Sequence, residues 1–209
     1  MPQFVDPAQK RLEFVAASWD VIAAEGLSGV TLRKVAAVAG CTTGSLTHYF
    51  SDRSALLIEA LREAHFAAAA RMIIVLGSEN EPFERIRLVL QQALPLDETR
   101  LREWKVWIAF WAALAGEPEL AAENVRRYHE WREMIEELLS PLIEDPHELA
   151  EQANILIALI DGLGLRLALS FGTAEQDFVQ DTAAVQSCGE QLDRYLYRHF
   201  RIQTTMKDA

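Results

Sequence analysis

The stretch TLRKVAAVAGCTTGSLTHYF, residues 31–50, constrains the fold more than any other part of the sequence. Apolar residues recur at helical spacing along its first half: Leu32, Val35, Ala36 and Ala39. Gly40 follows them, and glycine readily adopts the left-handed backbone that ends a helix. Thr31 is a suitable N-cap for the first helix, and Thr42 or Thr43 for a second one. The stretch therefore predicts two short helices joined by a tight turn.

The second of these helices is predicted to have an outer face of small and hydrogen-bonding residues. Leu46, Tyr49 and Phe50 are expected to point back at the first helix. The residues left facing outward are Thr43, Gly44, Ser45, Thr47 and His48. A helix that enters the DNA major groove needs such a face, because bulky apolar side chains would hold it away from bases and phosphates. The pattern indicates a helix-turn-helix, and an ordinary helical hairpin with a polar outer face remains the alternative.

The residues that follow strengthen the first interpretation. SDRSALLIEALREA, residues 51–64, begins a third amphipathic helix with Ser51 or Asp52 as its cap. Together with it, AGCTTGSLTHYFSDRSALL resembles the signature of the TetR family of transcriptional regulators, in register from about Ala17 to Ala60. The resemblance implies that residues 31–49 form the DNA-reading unit.

The same resemblance implies roles for individual residues. Positions that usually hold phosphates are occupied by Thr42, His48, Tyr49 and Arg53. Positions that usually meet bases are occupied by Thr43, Gly44 and Ser45. Thr47 stands where the family often has tyrosine, and Arg53 stands where lysine is commoner. The full set of predicted DNA-binding residues is Thr31, Arg33, Thr42, Thr43, Gly44, Ser45, Thr47, His48, Tyr49 and Arg53.

The net charge of −11 argues against nucleic acid as a partner, because phosphate neutralisation supplies most non-specific affinity. The charge is unevenly distributed, however. Residues 1–65 carry 6 basic and 7 acidic side chains, and the remainder carries 14 basic against 24 acidic ones. The DNA-reading stretch is locally positive through Arg33, Lys34 and Arg53. These features favour a binder with a few placed contacts and an acidic body that discourages non-specific association with DNA.

Composition excludes several other classes of protein. No apolar run is expected to reach membrane-spanning length, since the longest candidate, residues 155–169, is interrupted by Asp161 and Arg166. The N-terminus MPQFVDPAQK lacks a signal-peptide pattern. Cys41 and Cys188 lie far apart, which favours a reduced cytoplasmic protein without a disulfide framework.

Helix-start signals repeat along the chain, and no alternating strand pattern interrupts them. The prediction is an all-α fold of about nine helices. They lie at residues 7–25, 32–39, 43–50, 52–76, 82–94, 98–114, 118–140, 146–171 and 175–199. We expect an N-terminal helix-turn-helix domain over residues 1–52, a connecting helix over residues 52–76, and an effector-binding and dimerisation domain over residues 77–209.

The segment EWKVWIAFW, residues 103–111, places three tryptophans on one face of a helix. A packed aromatic core is one interpretation. A ligand chamber is the other, because aromatic walls bury organic effectors and can hold a quaternary ammonium by cation–π attraction. The two interpretations are compatible. The predicted effector-binding residues are Trp104, Trp107, Phe110, Trp111, Tyr128, Trp131 and Asp161.

The segment NILIALIDGLGLRLALSF, residues 154–171, is apolar nearly all round, which is typical of a helix covered on both sides. One side would pack in its own domain and the other on a second copy of the chain. Asp161 and Arg166 are each expected to have a partner, because burying either unpaired would be costly. That partner is a structural hydrogen bond or intersubunit ion pair in one interpretation, and a ligand in the other. The predicted dimer-interface residues are Gly162, Gly164, Arg166, Leu192 and Tyr195.

A second resemblance covers parts of residues 80–172. WKVWIAFWAAL and LIALIDGLGLRLALSFG resemble the effector-domain motifs of the BetI-type subgroup of the same family, which includes a choline-sensing repressor. The resemblance implies a homodimer that releases DNA when a small molecule binds. Gly164 departs from the subgroup, because an aromatic residue is expected at this position.

These observations predict a repressor that binds a palindromic operator as a dimer, is released by a small organic effector and needs no cofactor. A helical ligand-binding or protein-interaction module without DNA binding is the alternative. An enzyme is disfavoured, because the five histidines have no metal-ligand spacing and no nucleophile elbow or phosphate loop is present. The dimer would hold its recognition helices about 34 to 36 Å apart, one turn of DNA.

Overall fold

The computed structural model describes residues 6–77, 81–171 and 182–201, and all regular structure in these ranges is helical. Within the described ranges there are nine α-helices: α1 (Pro7–Gly29), α2 (Leu32–Val38), α3 (Thr43–Thr47), α4 (Arg53–Leu76), α5 (Pro82–Ala93), α6 (Glu98–Ala113), α7 (Pro118–Leu139), α8 (Pro146–Ser170) and α9 (Thr182–Leu196). A 3₁₀ turn, Leu114–Gly116, separates α6 from α7. The predicted all-α fold is confirmed, although residues 175–181 of the last predicted helix lie outside the described ranges.

Side-chain caps account for where several helices begin. Asp6 caps α1 by accepting a hydrogen bond from the Ala8 amide at 3.0 Å, with Pro7 at the first helical position. Asp52 rather than Ser51 caps α4, accepting from the Ala55 amide at 2.8 Å. This bond and the Ser51 hydroxyl lower the pKa of Asp52, because both stabilise its carboxylate.

Gly26 interrupts α1 near its C-terminus. Its φ of 70° and ψ of 179° are non-helical, although one further turn continues to Gly29. The regular part of α1 therefore ends at Glu25, as the sequence predicts. Glycine is favoured there because a residue with a β-carbon adopts a positive φ only at a cost.

The chain divides into two compact units. The head unit comprises Met1–Phe66 with Lys105–Asn124, and the body unit comprises Ala67–Trp104 with Val125–Ala209. The division falls inside α4, α6 and α7. The domain boundary predicted at residues 77–81 stays a prediction. Residues 105–124 lie after that boundary in the sequence, but in space they belong to the same compact unit as the helix-turn-helix.

Each unit has its own hydrophobic core. The head core takes large side chains from α1, α3, α4 and α6: Phe14, Leu46, Leu57, Leu61 and Phe110. In the body, α9 packs on α5 and α8. The fully buried side chains of the body unit include Ile86, Leu90, Leu156, Leu192 and Leu196.

By length and composition alone, α8 could cross a membrane. Its most apolar 18-residue window has a mean hydropathy of 1.6, and 44% of that window is buried within the structure. The prediction that no apolar run reaches membrane-spanning length is wrong, because α8 remains apolar enough on average despite containing Asp161 and Arg166. Core helices of soluble proteins pass the same test.

Candidate nucleic-acid interface and ligand-binding region

The turn between α2 and α3 is built by local hydrogen bonds and one glycine. The Thr31 hydroxyl accepts from the Lys34 amide, and the Thr42 hydroxyl accepts from the Ser45 amide, both at 3.2 Å. Gly40 has a φ of 66°, and a β-carbon built there would meet nothing within 4 Å. Backbone torsion, not lack of space, therefore favours glycine at this position.

The inner faces of α2 and α3 pack as predicted. Val35 and Leu46 are fully buried, and Ala36 is 1% exposed. The Cys41 amide donates to the Ala36 carbonyl at 2.9 Å, so the turn closes directly against α2. The outer face of α3 is consequently held in one orientation.

That outer face presents the predicted base-reading residues. Thr43, Gly44, Thr47 and His48 are exposed, and Ser45 is half-buried. The Thr47 hydroxyl donates to the Gly44 carbonyl at 3.0 Å and thus bonds its own helix. A β-carbon at Gly44 would lie 3.8 Å from the Thr42 hydroxyl, an ordinary contact, so internal packing does not require glycine there. Because Gly44 has no side chain, another molecule can approach the backbone closely at this position.

Arg11, which the sequence analysis did not single out, holds the end of the helix-turn-helix. Its Nη1 donates to the Tyr49 carbonyl at 2.8 Å, and its guanidinium lies 4.7 Å from the centre of the Phe50 ring. It also pairs with Glu59 at 3.4 Å. Arg11 and Tyr49 are 38 positions apart, so no local sequence pattern could have revealed this contact.

Arg53, predicted to contact phosphate, is already bound to three protein acceptors. Its Nε donates to the Val30 carbonyl at 3.1 Å, and its Nη2 donates to the Leu27 carbonyl at 2.9 Å. Its Nη1 lies 2.7 Å from a Glu117 carboxylate oxygen. Arg33, by contrast, is exposed. Thr31 is also exposed, and its hydroxyl serves as the α2 cap.

The predicted aromatic set is divided between the two units. Trp107, Phe110 and Trp111 belong to the head unit, where Phe110 is fully buried in the core. Trp107 packs edge-on against His65, with ring centres 4.0 Å apart, and tilts against Trp111 at 6.2 Å. Helical spacing alone therefore grouped residues that contribute to different cores.

In the body unit, Tyr128 and Asp161 form a polar pair. The Tyr128 hydroxyl donates to an Asp161 carboxylate oxygen at 2.9 Å. Burial raises the pKa of Asp161, and the hydrogen bond from Tyr128 opposes that rise. Burial and the neighbouring carboxylate raise the pKa of Tyr128 as well. Asp161 thus has the partner predicted for it, and Trp131 lies half-buried in the same unit.

Trp104 occupies the space beside Gly164. A β-carbon built at Gly164 would lie 2.1 Å from Cζ2 of the Trp104 ring. The indole N–H donates to the Ala93 carbonyl at 2.8 Å, which fixes the orientation of the ring. The ring of Trp104 therefore fills the position at which a side chain of residue 164 would begin.

The predicted dimer-interface residues differ in exposure. Gly162 and Arg166 are exposed, whereas Gly164 and Leu192 are buried within their own subunit. Tyr195 is half-buried and stacks on His199, with ring centres 4.1 Å apart. One exposed stripe follows α8 at helical spacing: Ile155, Ala158, Gly162, Arg166 and Leu169.

Metal binding finds no support in the described ranges, which contain no group of three or more His, Cys, Asp or Glu side chains able to hold an ion.

Two family models match the chain. The model of bacterial regulatory proteins of the tetR family matches residues 14–60, and the model of the C-terminal part of BetI-type transcriptional repressors matches residues 82–196. The HTH-type transcriptional regulator BetI of Proteus mirabilis is 32% identical over 189 residues, covering 87% of this chain and 92% of that protein. The HTH-type transcriptional regulator PksA of Bacillus subtilis is 30% identical over 171 residues, covering 81% and 83%.

Solved structures have the same fold. A transcriptional regulator from Rhodococcus sp. Rha1 matches with a TM-score of 0.76 and 28% identity, covering 91% of this chain and 97% of that one. A regulator from Saccharomonospora viridis, solved in complex with choline, matches with a TM-score of 0.77 and 22% identity, covering 92% and 98%.

Proposed function

This chain belongs to the TetR family of transcriptional regulators and has a BetI-type C-terminal domain, and from this premise we propose that it is an effector-released repressor. It binds a palindromic operator as a homodimer, and a small organic effector releases it. Its relatives are transcriptional regulators and not enzymes.

The observation that carries the proposal is the outer face of α3. Thr43, Gly44, Thr47 and His48 are exposed on a helix whose inner side is held by buried Leu46. Small polar groups of this kind can approach base edges and phosphates in the major groove. The exposed Arg33 adds positive charge nearby.

The exposed stripe on α8 supports a dimer. Leu169 is 62% exposed and Ile155 is 38% exposed, although the helix is strongly apolar. Ala158 and Gly162 lie between them, and such small residues allow a second helix to approach closely. A twofold dimer formed through this stripe and α9 would hold the two α3 helices about 34 to 36 Å apart, which is one turn of DNA.

We propose a small organic cation as the effector. Asp161 supplies a partly buried negative charge beside Tyr128, and aromatic rings attract quaternary ammonium groups. The choline complex of the Saccharomonospora viridis regulator, which has the same fold, is consistent with this class of ligand. Effector binding tilts α4 and changes the spacing of the two α3 helices. By linkage, DNA weakens effector affinity by the factor by which effector weakens DNA affinity.

The substitution Ser45→Glu tests the DNA-binding assignment. It places bulk and negative charge on the α3 face, so operator affinity should fall at least about 100-fold. Dimerisation and effector affinity should not change. Operator affinity is measured by fluorescence anisotropy with a duplex selected from a random-sequence pool. Sedimentation measures dimerisation, and calorimetry measures effector affinity. Ser140→Glu, an exposed serine directly after α7, is the matched control for charge. Retained operator binding by Ser45→Glu would contradict the proposal.

The effector class has its own test. Choline should bind more tightly than 3,3-dimethylbutanol, its neutral counterpart of similar shape, and Asp161→Asn should abolish the difference. Because burial raises the pKa of Asp161 and a cation needs the ionised carboxylate, choline affinity should rise with pH. Equal affinity for both compounds in the wild type would exclude a cationic effector at this site.

A further inference from the structure

Arg53 makes contacts that a phosphate-binding residue does not need. Three of its nitrogens face acceptors inside the head unit: two carbonyls at the approach to α2 and the carboxylate of Glu117. The carbonyls of Leu27 and Val30 flank the short segment between the Gly26 interruption and Thr31. The side chain therefore holds the entry of the helix-turn-helix from the protein side.

Glu117 orients the Arg53 guanidinium. It is the residue immediately before α7, and its backbone carbonyl accepts from the Ala121 amide at 3.0 Å, so the helix fixes its position. The Arg53 and Glu117 side chains are 34% and 31% exposed. An ion pair with that exposure adds little stability by itself. Its consequence is geometric: the Leu27 and Val30 carbonyls are linked through Arg53 to the start of α7.

Arginine suits this arrangement better than lysine. A guanidinium is planar and directs several N–H donors along fixed directions, so Arg53 can serve three acceptors at once. A lysine ammonium is a compact point charge on a flexible stem and would lose that fixed geometry. The departure from the commoner lysine at this position thus has a structural reason in the contacts of this chain.

We propose that Arg53 is a positioning residue for DNA recognition, holding the entry of the helix-turn-helix, and that Glu117 keeps it in that role. The inference rests on the proposed operator binding. It makes the geometry of the α3 surface depend on where α7 begins, although Glu117 itself is not assigned to DNA. A phosphate contact by Arg53 is the competing role. One substitution distinguishes the two roles, because it should change operator affinity in opposite directions.

That substitution is Glu117→Gln. If Arg53 is a positioning residue, loss of the carboxylate loosens its hold on the two carbonyls, and operator affinity should fall about threefold to tenfold. The salt dependence of binding should not change, because no phosphate contact is lost. If Arg53 binds phosphate, Glu117→Gln frees its guanidinium. Affinity then rises, and the slope of log affinity against log salt steepens by about 0.9 for one added phosphate contact.

A second Arg–Glu pair of the head unit provides a matched control. Arg62 of α4 contacts Glu123 of α7 at 3.0 Å, and Glu123 is 7% exposed. Glu123→Gln should lower Tm more than Glu117→Gln, because it leaves Arg62 without its buried partner. Its operator affinity should fall less than that of Glu117→Gln, because Arg62 reaches the helix-turn-helix only indirectly, through Glu59 and Arg11.

The experiment measures operator affinity at several salt concentrations for wild type, Glu117→Gln, Glu123→Gln and Arg53→Lys. The probe is a duplex selected by the wild-type protein from a random-sequence pool. If no duplex is selected, the proposed function fails before this inference is reached. Arg53→Lys should match the loss of Glu117→Gln with an unchanged salt slope. Higher or unaltered affinity of Glu117→Gln, wild-type affinity of Arg53→Lys, or an equal loss in Glu123→Gln would overturn the inference.

Discussion

The helix-turn-helix and the surroundings of Trp104 each depend on a glycine, but for different physical reasons. Gly40 has a φ of 66° and open space around its missing β-carbon. Gly164 lies in the interior of α8, outside the positive-φ region, but a β-carbon there would overlap the Trp104 ring at 2.1 Å. One glycine is needed for torsion and the other for space.

The difference concerns the range of the interactions. The hydrogen bonds that shape the turn around Gly40 join residues three to five positions apart. The ring that meets Gly164 comes from another helix, and the Tyr128–Asp161 bond joins residues 33 positions apart. A local requirement can be recognised in a short stretch of sequence, whereas a contact between distant segments cannot. Substitutions in the two regions should therefore produce distinguishable effects.

Gly164→Ala should have the largest effect on stability. The added methyl group meets ring atoms held by the Trp104–Ala93 hydrogen bond, and such overpacking costs about 1–3 kcal/mol in unfolding free energy. Urea denaturation measures it. The double variant Gly164→Ala with Trp104→Phe should lose less than the sum of the single changes, because a smaller ring leaves room for the methyl group. Strict additivity would mean that the two positions do not share this space.

Gly40→Ala should lower the unfolding free energy by about 1 kcal/mol, because alanine adopts the left-handed backbone only at a cost, although its methyl group meets no neighbour. Gly40→Asn is the control, since asparagine tolerates this conformation better than alanine. Urea denaturation of both variants gives the comparison. Equal losses for alanine and asparagine would show that torsion is not the reason for glycine at residue 40.

The smallest effect is the pH dependence contributed by Asp161. Burial raises its pKa in the folded protein, so its contribution is fully present below the unfolded pKa of about 4 and is lost as pH rises through the folded pKa. The unfolding free energy of wild type relative to Asp161→Asn should therefore fall over that range and then stay level. Tyr128→Phe removes a bond that stabilises the carboxylate, so the decline should extend to higher pH. A pH-independent difference between wild type and Asp161→Asn would contradict this assignment.

The helical elements were largely predictable from the sequence. Asp6 with Pro7, Gly26, Thr31 and Gly40 each act within a few residues of their own position, and the structure has the predicted caps and breaks there. The exposed face of α3 followed from the same local patterns. The roles of its residues in binding DNA stay predictions, as do those assigned to the effector site and the dimer interface.

The long-range contacts were not predictable. Helical spacing placed Trp104, Trp107 and Trp111 on one helix face, but Trp104 belongs to the body unit, whereas Trp107 and Trp111 belong to the head unit. The spacing of residues within one helix does not say which neighbouring helix each will meet. For the same reason, Arg11 was missed, and the three acceptors of Arg53 were not anticipated.

The sequence by itself determined the helices, their caps and the polar α3 surface, because propensity, capping and periodicity act over one or two helical turns. Only the tertiary structure decided that Trp104 fills the space at Gly164, that Tyr128 bonds Asp161 and that Arg53 joins Leu27 and Val30 to Glu117. These contacts join residues whose distance in the chain carries no information about their distance in space. They form when separate helices exclude water from shared cores, and packing then selects which side chains meet.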